Sequence, residues 1–345
     1  MYEVIRMTIE ESGQTVLELK DLKTHFVTRW GVVKAVDGVS FKLKKGETLG
    51  VVGESGSGKS VTSLSIMRLV PSPPGHIVGG KILLEGEDIL QLSEQDMQQV
   101  RGGRVAMVLQ DPMTALNPVF NIENQVAEPL KIHKKMKGKD LKTSVIDMLL
   151  KVRIPAPDVR MKDYPHQLSG GMRQRVIGAI GLSCNPVVLI ADEPTTALDV
   201  TIQAQIVENL KNLQQRSGMS VLFITHNLGL VAEIADRVLG LYAGQVGELG
   251  KVKALFDQPL MPYTKALLQS IPHLGCSNQP DYRIEAIQGN VPSATAFPSG
   301  CAFHPRCRYF VPAVCDASEP GLEDGAADHL VRCFRWQEIP EGAGT

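Results

Sequence analysis

The chain has 345 residues, 36 Lys+Arg against 37 Asp+Glu for a net charge of -1, and 43% hydrophobic residues. That length holds one main domain plus an appendage, and the balanced charge excludes the global positive field that would grip a nucleic-acid backbone. No apolar stretch is long enough to span a bilayer and the opening MYEVIRMTIE has no apolar secretion core, so a soluble, unsecreted chain with reduced thiols is expected.

Residues 15 to 47 read as alternating strands. TLGVV then leads into GESGSGKS, Gly53 to Ser60, and on into the helix-forming VTSLSIMRL, which is the strand, glycine loop and helix order of a phosphate-binding loop. Gly53, Gly56 and Gly58 let the backbone turn its N–H groups toward phosphate oxygens, with Ser55 and Ser57 between them, and the helix adds its positive end. Lys59 supplies a charge for the β- and γ-phosphates of a nucleotide triphosphate, and Ser60 a hydroxyl for Mg²⁺. PSPPGHIVGG is a turn-rich loop before the strand KILLEGEDI. RVAMVLQ ends in Gln110, whose amide can reach a metal and a water. KIHKKMKGKDLK is a basic run that reads as a solvated face, with an anionic membrane surface as its other reading.

Further along, VVLIADEP reads as a buried parallel strand with acids at its carboxyl end, where ligands of open α/β sheets bind. Asp192 is expected on the Mg²⁺ shell and Glu193 facing a water poised for attack. VLFITH repeats the geometry and ends in His226, expected near the γ-phosphate or that water. LSGGMRQR places Ser169, Gly170 and Gly171 at a helix start, which makes a second anion site with no nucleotide of its own.

Taken together and in this order, GESGSGKS, Gln110, LSGGMRQR, LIADEP, TALD (Thr196 to Asp199) and His226 resemble the nucleotide-binding subunit of an ATP-binding cassette (ABC) transporter. The resemblance implies an α/β P-loop NTPase fold, with a RecA-like core, an antiparallel β subdomain and a helical subdomain, plus a small irregular Cys-containing C-terminal extension. The expected boundaries are 15–258 for the nucleotide-binding domain, with its helical subdomain about 111–175, and 259–340 for the extension. The family pairs two cassettes head to tail, so Ser169, Gly170 and Gly171 are expected to act on ATP held by the partner, with Asp199 near the interface. Glu193 is then the catalytic base, and His226 and Gln110 sense the γ-phosphate and water. The family also stacks an aromatic residue on adenine, for which Phe26 is favoured over Trp30.

MPYTKALLQSIP and GCAFHPRC look like the carboxy-terminal extension of oligopeptide and dipeptide importers, whose relatives include nickel importers. That resemblance implies a second ATPase subunit, two membrane permease subunits, an extracytoplasmic peptide-binding protein reached indirectly, and a peripheral position on the cytoplasmic face of the inner membrane. Asn227 departs from the family's usual Asp. A cassette working on DNA or ribosomes would carry a long coiled coil or a second cassette, and a non-catalytic one would have lost Glu193 or His226; neither pattern is present.

Cys301, Cys307, Cys315 and Cys333 are widely and unevenly spaced, unlike the short pairs of structural zinc. Similar tails in the subfamily bind a [4Fe-4S] cluster, whose ligand count matches; zinc and unligated thiols stay as alternatives. Cys184 and Cys276 read as ordinary thiols. From Leu274 on, periodicity fades, and the region is expected to bury little apolar surface of its own.

Overall fold

A computed structural model describes residues 13–109, 115–195, 199–271 and 286–340. In chain order the elements are β1 (Thr15–Thr28), β2 (Gly31–Lys44), β3 (Thr48–Val52), α1 (Lys59–Ile66), β4 (Gly75–Leu84), β5 (Glu87–Asp88), α2 (Glu94–Val100) and β6 (Val105–Val108). There follow α3 (Ile122–His133), α4 (Gly138–Lys151), α5 (Pro157–Arg160), α6 (Gly170–Leu182), β7 (Val188–Asp192), α7 (Val200–Ser217), β8 (Ser220–Ile224) and α8 (Leu228–Ile234). The last are β9 (Arg237–Tyr242), β10 (Gln245–Lys251), α9 (Val252–Asp257), α10 (Pro262–Gln269), β11 (Glu323–Ala326) and β12 (His329–Val331). One sheet runs β2-β1-β4-β5, with β4 and β5 antiparallel.

The chain divides into two compact units: one comprises residues up to 18, 42–48 and 82–224, the other 19–41, 49–81 and 225 onward. In the first, β6, β7 and β8 are parallel neighbours, in register at Val105 with Val188 and Val188 with Ser220. Every residue of β7 and β8 is buried, which explains their unbroken apolar runs: a parallel sheet is covered on both faces. In the helical part, α3 buries Ile122, Val126, Ala127 and Leu130, a spacing that draws one stripe along a helix, and packs on α4 and α6. The basic run spans the end of α3 and the start of α4 with its lysines exposed, the solvated face expected of it.

In the second unit β3 lies parallel to β9, and β10 is antiparallel to both β9 and β12, with β11 completing the edge. The strands of the C-terminal extension therefore continue a sheet begun by the P-loop strand. The expectation that this region buries little apolar surface does not hold. Phe303 and Val331 are buried with Tyr242, Met261 and Tyr263, and Phe297, Cys301, Cys307, Cys333 and Trp336 pack against them. The partners come from β9 and α10, far away in sequence, so no local periodicity announces them. A buried pair pins the same edge. His329 Nε2 lies 2.7 Å from Glu248 Oε1, and the Glu248 carboxylate also accepts the backbone N–H groups of Leu260 and Met261, at 2.7 and 3.0 Å.

Candidate functional site

The loop between β3 and α1 has the backbone a phosphate cradle needs. Gly53, Gly56 and Gly58 have φ of 156°, 78° and 101°, values that disfavour a side chain. A Cβ on Gly58 would stand 2.4 Å from the Ala35 carbonyl oxygen, whereas one on Gly56 meets none of the described residues within 4 Å. Lys59 Nζ donates to the carbonyls of Gly53 and Glu54 at 2.8 and 3.0 Å, folding the side chain back over the loop. Ser57 is buried, and its Oγ has no hydrogen-bond partner among the described residues. A buried, unpaired hydroxyl inside a glycine loop fits a site that an anion completes. Ser55, Gly56 and Ser60 are exposed.

His226 follows β8 and is exposed. Asn227 caps α8: its side chain accepts from the N–H groups of Gly229 and Leu230, at 3.0 and 3.3 Å. Asn and Asp cap equally well, so the departure from Asp leaves this cap intact. Phe26 is half-buried, its ring lying 2.8 Å from where a Cβ on Gly75 would stand, so the ring is packed against that backbone. Trp30 is 73% exposed, with the Arg29 guanidinium 4.0 Å from its ring centroid.

In the other unit, Asp192 ends β7 and is 4% exposed. Glu193 lies just past the end of the strand. Its φ is +48°, and its N–H donates to the Ile224 carbonyl at 2.8 Å. A non-glycine residue held in the left-handed region costs on the order of 1–3 kcal/mol, strain typical of functional positions. Ser169 caps α6, its hydroxyl accepting from Met172 N–H at 3.3 Å, so the helix starts at Gly170. Asp199 caps α7 through Ile202 N–H at 2.9 Å. Gln110, the residues Thr196 to Leu198 of TALD, and Cys276 lie outside the described residues.

Cys301, Cys307, Cys315 and Cys333 border one cavity of about 20 Å³, and Cys301 N–H donates to the Cys315 carbonyl at 2.8 Å. Burial raises the Cys301 thiol above its ordinary range and pushes Cys307 and Cys333 up to about 11, with the neighbouring thiols adding to the shift. Bare thiols here stay protonated, the state a metal centre would reverse. Among the described residues no group of three or more His, Cys, Asp or Glu side chains is arranged to hold a metal ion. Cys184 is a buried thiol, also raised by burial.

A family profile described as ABC transporter matches residues 36–196, and one described as oligopeptide/dipeptide transporter, C-terminal region, matches 248–315. A peptide import ATP-binding protein of Brucella ovis is 49% identical over 336 residues, covering 95% of this chain and 99% of the relative. The oligopeptide transport ATP-binding protein AppD of Bacillus subtilis is 50% identical over 329 residues, covering 95% and 98%. The chain belongs to the ATP-binding subunits of ABC peptide transporters. Among solved structures, the ATP-binding cassette MJ0796, described as a dimer in a post-hydrolysis state bound to ADP and Pi, aligns with a TM-score of 0.62. It is 26% identical, and the match covers 68% of this chain and 98% of that one.

This ABC subunit is thus an ATPase with the P-loop NTPase fold. One residue of its loop was passed over in the sequence. Glu54 is an unremarked letter in GESGSGKS, yet its N–H donates to the Tyr263 hydroxyl at 2.9 Å and its carbonyl accepts from Lys59 and from Ser57 N–H. Nothing local signals this, because Tyr263 lies 209 positions away.

Proposed function

We propose that this ABC ATPase powers the import of dipeptides or oligopeptides through a membrane transporter, by closing around ATP as one of two cassettes and opening after hydrolysis. The observation that carries the reading is the presence, in one chain, of a complete phosphate loop and an oligopeptide/dipeptide-type C-terminal region. The chain's own residues divide the work. The Gly53–Ser60 loop takes the phosphates, with Lys59 turning from the Gly53 and Glu54 carbonyls to the charge. Ser60, Asp192 and Gln110 would hold Mg²⁺, which neutralises charge on the phosphates when bound. Glu193 accepts the proton of the attacking water, His226 and Gln110 orient it, and Ser169, Gly170 and Gly171 complete the site of the partner cassette. The strained φ of Glu193 and the exposed helix start at Ser169 support these roles.

For adenine, exposure favours Trp30 over Phe26, whose ring is already packed against Gly75. The partners are a second, homologous ATPase subunit and two permeases, with a peptide-binding protein acting from outside and no nucleic acid; the chain would sit on the inner face of the membrane. No helix among the described residues is long and apolar enough to cross a membrane itself.

Cys301, Cys307, Cys315 and Cys333 would hold a [4Fe-4S] cluster, which would serve as a cross-link of the extension. Four thiols on one cavity support this, and the small space among them requires the side chains to swing apart on loading. Iron and sulfide analysis of anaerobically purified protein tests it; stoichiometric zinc without iron or sulfide contradicts it. The transport reading is tested by ATP hydrolysis in the reconstituted complex: peptides of suitable length should stimulate it, and stimulation by nickel alone would favour the metal-importer relatives.

A further inference from the structure

The C-terminal extension reaches into the phosphate loop through one side chain. Arg306 stands in the 3-10 turn His304–Arg306, between Cys301 and Cys307. Its Nη1 and Nη2 donate to Glu54 Oε2 and Oε1 at 2.6 and 3.0 Å, a two-pronged pair across 252 positions of sequence. The guanidinium has further partners. Nε donates to the Gln288 carbonyl at 3.0 Å, Nη1 also reaches the Tyr242 hydroxyl at 3.3 Å, and the rings of Tyr242 and Phe303 lie 5.9 and 6.0 Å away. The Arg306 side chain is 4% exposed and Glu54 25%. The bond to Glu54 is also the main reason the guanidinium holds its proton more tightly than usual.

A loop built to receive a polyanion is a poor place for a carboxylate. Left bare, Glu54 would repel the triphosphate and, being partly buried, would be free to turn toward the loop's own N–H groups and compete for them. We propose that Arg306 is a positioning residue for ATP binding: it neutralises the Glu54 carboxylate and aims it away, so that nucleotide affinity depends on the cysteine-bearing turn. This rests on the reading of Gly53–Ser60 as the ATP site. It goes beyond that reading in giving the C-terminal extension a part in it.

The test is titration of the full-length chain with a ribose-labelled fluorescent ATP. Arg306→Met keeps an apolar stem between the rings but removes the charge, and affinity should fall on the order of tenfold, which corresponds to about 1.4 kcal/mol. Arg306→Met combined with Glu54→Gln removes the charge on both sides, and should recover to within about threefold of the parent by the same conversion. Arg306→Lys, which retains the charge, should stay within a similar range. Wild-type affinity in Arg306→Met, or a double variant as weak as the single, overturns the proposal. Should the single variant fail to fold, the double variant decides alone: affinity near the parent's supports the proposal and a tenfold loss overturns it. Lys59→Ala separates the two levels. Retained ATP binding in that variant would sink the ATP-site reading itself, whereas a Lys59-dependent site indifferent to Arg306 sinks only the clamp.

Discussion

Gly56 and Gly58 lie two residues apart in one loop, both at positive φ, yet their surroundings differ, which makes a matched pair of substitutions. Gly56→Ala adds a methyl group with none of the described residues within 4 Å, so its cost is conformational: about 1–2 kcal/mol for the left-handed backbone, offset by about 0.4–1 kcal/mol from a stiffer unfolded chain. Gly58→Ala adds to this a Cβ 2.4 Å from the Ala35 carbonyl oxygen. Carbon–oxygen contacts settle near about 3.3 Å, so about 1 Å must be opened between the loop and backbone belonging to β2. Overpacking of this kind costs about 1–3 kcal/mol. Urea unfolding of the nucleotide-free chain should therefore leave Gly56→Ala close to the parent and Gly58→Ala less stable by that steric amount. Equal midpoints for the two variants would refute the account of why the loop needs glycine at Gly58.

Other consequences can be checked separately. Asn227→Asp should leave stability within about 0.5 kcal/mol of the parent and Asn227→Ala should lose about 1 kcal/mol, because what the helix needs there is a side-chain acceptor; thermal unfolding reads both. His329→Ala should cost about 1–3 kcal/mol by taking one hydrogen-bond partner from the fully buried Glu248 carboxylate; His329→Ala combined with Glu248→Gln should regain much of the loss. In metal-free protein the thiols of Cys307 and Cys333 have raised pKa values, so the folded state holds their protons longer than the unfolded chain. Their contribution is therefore complete below about pH 9 and lost as the pH rises to about 11. Urea titrations at pH 8 and 11 should show that fall, and Cys333→Ala should flatten it.

What could be read from the sequence was what is local. GESGSGKS declares its loop because the glycines, the strand before and the helix after all lie within some twenty residues, and β7 announced itself by five buried positions ending in Asp192. Ser169 was legible at a helix start for the same reason: a cap and its N–H partner are three residues apart. The conformation of Glu193 was not legible, since alternation along a strand says nothing about the residue at which the strand stops. Nor was the core of the C-terminal extension. Phe303 has no periodic neighbours in sequence and finds Tyr242 and Tyr263 at ring distances of 5.2 and 5.4 Å only after the chain has folded back. Phe26 and Trp30 are alike as aromatic letters, and the packing of the Phe26 ring against Gly75 and the exposure of Trp30 show only in the fold.

The most direct test of the central claim is phosphate release and peptide uptake by the assembled transporter in vesicles, measured with Glu193→Gln in this subunit. If this chain's ATP turnover drives import, the variant should still bind ATP while phosphate release and peptide accumulation both stop. Undiminished uptake with Glu193→Gln, in vesicles whose other cassette is also blocked, would contradict it.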